Sequence, residues 1–201
     1  MKYLFIIVLF LLVSGCGTKV PVAVKYKISP KVDLVNVIKE ENSICKKKSL
    51  KIMQSFSSSI LMSKDMNYVV DANKIYPYSV AQWASTPGKS VSDAYFMMLR
   101  DLDIFKSTQN SKSRTKASWL LEIKVEDFMQ YYENDNTTSY VNVSINLIIL
   151  DSLSSKVIAT KVFNSKLDVN TMDAEGGVMA LNKALANVLS QSALWLNEEC
   201  K

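Results

Sequence analysis

The chain has 201 residues, 48% of them hydrophobic and 21% charged, which suits one folded domain with a real core and excludes a disordered chain. Its 24 basic and 19 acidic side chains leave a diluted net charge of +5 whose densest run is Lys46-Lys47-Lys48, so nucleic-acid binding has little support. The absence of histidine excludes histidine-based hydrolytic triads, and five glycines at positions 15, 17, 88, 176 and 177 cannot spell a phosphate-binding loop or a dinucleotide fingerprint, so neither an enzyme nor a cofactor is expected.

Lys2 precedes an unbroken apolar run over residues 4–13, about half the roughly 20 residues that a membrane-spanning helix needs. That length, followed by Val13-Ser14-Gly15-Cys16, reads as a lipoprotein signal peptide over residues 1–15, with the Cys16 thiol acylated and becoming the new N-terminus. The alternative is an ordinary secretory signal with a chance cysteine. Several acyl chains on one cysteine, at about 0.8 kcal/mol per buried methylene, hold a protein stably at a membrane where one chain holds it marginally. Gly17 stands where an aspartate would argue for inner-membrane retention, which favours the outer membrane and the periplasm.

Residues 16–44 are polar, contain Pro21 and Pro30, and alternate only at Val24, Tyr26 and Ile28. They read as a tether with one short strand and a partly helical stretch near Val35 to Glu41. The Lys46-Lys47-Lys48 run is either a contact for anionic head groups or, more simply, a solvated segment before a strand. Two cysteines remain after lipidation, and an even remainder in an oxidising compartment invites a Cys45–Cys200 disulfide that staples the ends of the domain; two separate thiols are the alternative.

Leu50, Ile52 and Phe56 suggest a strand and Met66 to Val70 another extended piece. Tyr76, Tyr78 and Trp83 fall in a stretch too irregular for simple core alternation. They are candidate partner-binding residues, against the plainer reading that Trp83 packs under the following helix and the tyrosines cover the sheet. Val91, Ala94, Tyr95, Met98, Leu102 and Phe105 then share one helical face, with Ser90 placed to cap the start and Asp93 three residues on in a capping-box arrangement.

Trp119, Leu121, Ile123 and Val125 alternate with polar neighbours, as do Val141, Val143, Ile145, Leu147 and Ile149, and Val157 to Phe163 follows. Turns at Asn134-Asp135-Asn136 and Asp151 to Ser155 make these a three-stranded antiparallel meander. Glu122, Glu126 and Asp127 are read as solvated charge. An amphipathic helix from Asp173 to Glu198, with Val178, Leu181, Leu185, Val188, Leu189, Ser192 and Leu196 inward, completes an α+β domain. Two helices pack a mainly antiparallel sheet in two layers.

Tyr78, then Trp83 and Pro87 five and four residues on, and a helix ending in Leu102-Asp103-Ile104-Phe105 together resemble the ABC-type transport auxiliary lipoproteins of the PqiC/YmbA-like family. Tyr26-Lys27-Ile28 is similar to that family's early strand, Val162-Phe163 to the end of its last strand, and the Ala-rich helix to Trp195 to its C-terminal helix. Departures lie at Ser57 to Met62 and in the basic stretch from Ser29 to Lys48. The resemblance implies that residues 45–201 form the auxiliary domain. Its partners would be an MCE-domain protein, an ABC permease and an ATPase that move phospholipid or other hydrophobic molecules between membranes, with self-association into a ring compatible. A lipid-binding carrier with its own apolar cavity and a structural outer-membrane assembly lipoprotein are the alternatives.

Overall fold

The structure is a computed structural model and describes residues 22–34, 43–133 and 137–201. The signal peptide, Cys16, the helical stretch at 35–41 and the turn at 134–136 lie outside the described residues.

Three long strands carry the architecture. Strands β7 (Trp119–Tyr132), β8 (Ser139–Asp151) and β9 (Val157–Asp168) pair antiparallel in sequence order. Along β7 and β8 every second residue is buried from Trp119 to Val125 and from Ser139 to Ile149, the mark of a sheet with one covered face. A bulge between Val125 and Asp127 puts one extra residue into β7 without losing the pattern: Phe128 and Gln130 continue the buried side.

The free edge of β7 accepts three short parallel strands end to end. These are β2 (Ser49–Ile52) beside Trp119 to Leu121, β3 (Phe56–Ser57) beside Lys124 and Val125, and β4 (Asp65–Val70) beside Gln130 to Tyr132. Strand β6 (Ser107–Gln109) extends from β2 in parallel. Strand β5 (Lys74–Trp83) returns antiparallel on β4, and β1 (Val24–Tyr26) pairs parallel with β5. The sheet is therefore mixed. What reads as one strand from Leu50 to Phe56 is two, separated by residues 53–55.

Helices α1 (Pro87–Leu102) and α2 (Ala174–Glu198) cover the buried face and touch each other, giving the two-layer α+β domain. The start of α1 differs from the capping box anticipated at Ser90. Thr86 is the N-cap and Pro87 fills the first helical position, where its missing N–H is one that would be orphaned anyway. Ser90 already donates its N–H to the Thr86 carbonyl, and Asp93 pairs with Lys89 on the exposed face. Asp103, in left-handed geometry, ends α1 by donating its N–H to the Leu99 carbonyl. Asp173 caps α2 with its carboxylate on the Gly176 N–H, so backbone hydrogen bonding, joined by the Thr171 hydroxyl, holds this acid below the usual carboxylate range.

The seven inward positions of α2 read from its periodicity are all buried. They meet Leu121, Ile123, Ile145, Leu147 and Ile149 from the sheet and Tyr95, Leu99 and Leu102 from α1, each worth about 1.5–3 kcal/mol when removed from water. Ser192 donates to the Val188 carbonyl, so the buried Tyr95 hydroxyl must be the donor in its 2.9 Å bond to Ser192 Oγ, and the two helices are pinned through it.

A disulfide joins Cys45 to Cys200, and the Ile44 N–H donates to the Cys200 carbonyl beside it. Both cysteines are buried, so the 3-10 turn Ile44–Lys47 and the end of α2 close the domain on itself. Among the described residues no helix is long and apolar enough to cross a membrane.

Candidate functional site

The β4–β5 hairpin brings the tyrosines together. Its tip is turned by Asp71 and Ala72, both in the left-handed region at φ 51° and 62°, with Lys74 held by the Asp71 carboxylate at 2.8 Å. Tyr68 on β4 lies opposite Tyr76 on β5 and Gln130 on β7. The period of two then sets Tyr78 and Tyr132 on the same face.

The Tyr68 ring centroid lies 4.6 Å from Tyr78, 5.3 Å from Tyr132 and 5.9 Å from Tyr76, so one ring is the hub of four. Tilted and edge-on pairs at such separations are favourable by about 0.5–1.5 kcal/mol beyond the area they bury.

The cluster is tied to the core by a chain of polar contacts. Gln130 gives its amide N–H to Ser139 Oγ at 3.1 Å and accepts from the Tyr78 hydroxyl on Oε1 at 2.8 Å. The Tyr78 proton is thereby used, so the Tyr132 hydroxyl donates in the 2.7 Å contact between the two tyrosines. Burial pushes the Tyr78 and Tyr132 phenols up, and the negative charge of Asp173 adds to it. These hydroxyls stay protonated at physiological pH and serve as hydrogen-bonding groups rather than nucleophiles. Gly177 in the first turn of α2 makes room for this arrangement, because a Cβ there would fall on Gln130 Oε1.

Of the three residues singled out for partner binding, the structure separates one from the other two. Trp83 is 3% exposed and packs edge-on against Phe128 at 5.8 Å, so it is a core residue at the end of β5 and not part of a surface. Tyr78 is half-buried and does the tethering just described. Tyr76 is 46% exposed and Ile75 45%, and Val80 further along the strand is 44% exposed, so β5 presents apolar and aromatic area to solvent over much of its length. The stretch looked irregular in sequence because this strand leaves the body of the domain. Its alternation has no covered face to report until Ala81 and Trp83.

The bare face of the sheet holds a second feature that the sequence reading placed wrongly. Asp127 is not simply solvated: the bulge sets it beneath Tyr131, whose hydroxyl donates to Oδ2 at 2.6 Å while Asn142 donates to the same oxygen at 2.8 Å. Oδ1 is buried with no hydrogen-bond partner, and burial holds the acid above its ordinary pKa of 3.8. Tyr131 stacks on Tyr140 at 5.1 Å, and Lys166 lies 3.6 Å over the Tyr140 ring. Glu126 does keep to solvent, in an ion pair with Lys124. Among the described residues no group of three His, Cys, Asp or Glu side chains is placed to hold a metal.

No family model matches the chain, and no curated protein matches it in sequence. Its fold is similar to that of XCC0632 from Xanthomonas campestris, a protein described under DUF330. The two share 17% identity over 88% of this chain and 96% of that one, with a TM-score of 0.76. An uncharacterized protein is similar at 13% identity over 90% and 99% of the two chains, with a TM-score of 0.63.

Membership of the PqiC/YmbA-like family is corrected by these findings: the family is not matched, and the shared fold is that described under DUF330. The residues that suggested it have general structural duties. Tyr78 bonds Gln130, Trp83 fills the core, and Pro87 starts α1. The comparisons establish the fold of the chain, a two-layer α+β domain shared with XCC0632.

Proposed function

We propose that this chain is a lipid-anchored, noncatalytic component of the bacterial cell envelope whose domain docks a partner protein through the β4–β5 hairpin. The observation that carries the reading is the outer part of β5, where Tyr76 is exposed on one face and Ile75 on the other, with Val80 further along the strand. It is aromatic and apolar, lies outside the core, and is backed by a tyrosine cluster fixed to Gln130. Exposed aromatic area on a rigid support is what the buried centres of protein interfaces are made from. The Val13-Ser14-Gly15-Cys16 sequence supports the anchor, and the Cys45–Cys200 bridge suits an oxidising compartment such as the periplasm. The partner class proposed is a transport assembly of an MCE-domain protein with an ABC permease and ATPase, in which this chain supplies a periplasmic contact and no chemistry.

Replacing Tyr76 by a photoreactive phenylalanine analogue in cells, then identifying the crosslinked protein by mass spectrometry, tests this. A transport component captured from position 76 and not from an exposed control position such as Leu153 supports the reading. Equal capture at both positions overturns it.

Self-association is a second reading, favoured by β9. This strand is 12 residues long, pairs among the described residues only with β8, and exposes Val157, Ile158 and Val162. A long unpaired edge is a template for another strand. Light scattering of the purified protein distinguishes a monomer from a closed oligomer.

A further inference from the structure

After β1 the chain leaves the sheet and residues 27–34 run across the helical layer. Bonds to α2 side chains are among the ties that hold them there, and among the described residues they join no strand ladder. The Ser29 N–H donates to Asn182 Oδ1 at 2.6 Å, and the Ser190 hydroxyl donates to the Asp33 carbonyl at 3.1 Å. Between this strap and the outer face of α1 lies a cavity of about 450 Å³. Most of its lining is apolar, Ile28, Val32 and Leu34 from the strap and Ala94, Met97 and Met98 from α1, with Ser29, Ser85 and Ser90 among it. Met97 is 54% exposed, and methionine adapts its shape to irregular apolar occupants.

Three charged side chains also line it: Asp93 and Asp101, one helical turn either side of Met97, and Lys27 on the strap. Asp93 and Asp101 have exposed partners in Lys89 and Arg100, whereas Lys27 makes no salt bridge among the described residues.

We propose that this cavity binds a single-chain zwitterionic amphiphile of the lysophospholipid class, with its acyl chain along the Met97 wall and its head group at the three charged side chains. The size fits one chain. A methylene needs about the space of a water molecule, so 450 Å³ takes roughly 15 of them at about 30 Å³ each. Small-molecule sites generally have this volume and this make-up, mostly apolar walls with a few polar groups. The charges can meet both ends of a zwitterion: Lys27 takes a phosphate, and Asp93 and Asp101, now in exposed ion pairs with Lys89 and Arg100 that are worth little in water, exchange those partners for an ammonium.

The test uses the mature lipoprotein in nanodiscs and 1-palmitoyl lysophosphatidylethanolamine carrying a diazirine in its acyl chain. Crosslinks to peptides containing Met97 or Ile28 to Leu34 are expected, with labelling at least tenfold lower in Ala94→Trp, which fills the cavity, and at least threefold lower in the exposed-site variant Lys27→Glu. Unchanged melting temperatures certify that both variants fold, and Lys27→Glu decides alone if Ala94→Trp does not. Labelling insensitive to the variants that fold overturns the proposal. Equal competition by two-chain phosphatidylethanolamine, or labelling that appears only when Cys16 is left unlipidated, also overturns it.

Discussion

Replacing Cys45 and Cys200 together by alanine removes a link that spans 155 positions of sequence. In the chain-entropy treatment a loop of that length restricts the unfolded ensemble by about 17 cal/mol/K, or about 5 kcal/mol at 25 °C. The folded state gives up little in exchange. The Ile44 N–H still reaches the Cys200 carbonyl at 3.0 Å, and the Lys48 and Lys106 N–H groups still reach the Cys45 carbonyl. Domains of this size are stable by about 5–15 kcal/mol, so the bridge carries a third or more of the total. Urea unfolding followed by circular dichroism reads the loss. With a slope of about 2 kcal/mol/M the midpoint falls by about 2.5 M, unless the variant is already unfolded in buffer. A loss under about 1 kcal/mol refutes the reasoning, as does the finding of two free thiols in the native protein on mass-spectrometric alkylation.

Three further perturbations have outcomes fixed by named contacts. Ala72 sits at φ 62° in the hairpin tip, so Ala72→Gly relieves left-handed strain and raises stability by about 0.5–1 kcal/mol in the same urea assay. Gly177→Ala drives a methyl group into Gln130 Oε1 and displaces the acceptor of the Tyr78 hydroxyl, at a cost of about 2–3 kcal/mol and with increased solvent access to Tyr78 in iodination mapping. Asp127 has its pKa raised on folding, chiefly by burial, so the native state binds the proton more tightly. This acid's contribution to stability then falls as pH rises from 3.8 through the higher folded value. Asp127→Asn removes that slope and is as stable as the parent, or more so, at pH 7, which unfolding curves at several pH values check.

The long elements were legible because their signals are redundant. Fourteen residues of β7 and 25 of α2 repeat a period many times, and one buried face is enough to reveal it. Short strands carry no such repetition. β3 is two residues and β6 three, and their pairing is set by the edge of β7 that they happen to line, so parallel additions to an antiparallel meander had no mark in sequence. The ten residues of β5 were missed because a strand that projects from the domain has two exposed faces over most of its length. Asp127 was misread because a bulge shifts the register by one, which neither composition nor alternation announces. The cavity beside α1 depends on where the strap crosses the helices, a tertiary fact that Ile28, Val32 and Met97 could not disclose from their spacing.

The central claim, that the hairpin docks an envelope partner, is tested most directly by a crosslinked pull-down of the tagged, lipidated protein from its native envelope, comparing the parent with Tyr76→Ala/Ile75→Ser. Both changes are on the projecting half of β5, away from Trp83 and the core, so folding is retained and a matched melting temperature certifies it. The account predicts that an MCE-domain protein and its permease co-purify with the parent and are reduced at least tenfold with the variant. Recovery of the same partners in equal amount with both proteins, or of outer-membrane assembly proteins alone, contradicts it.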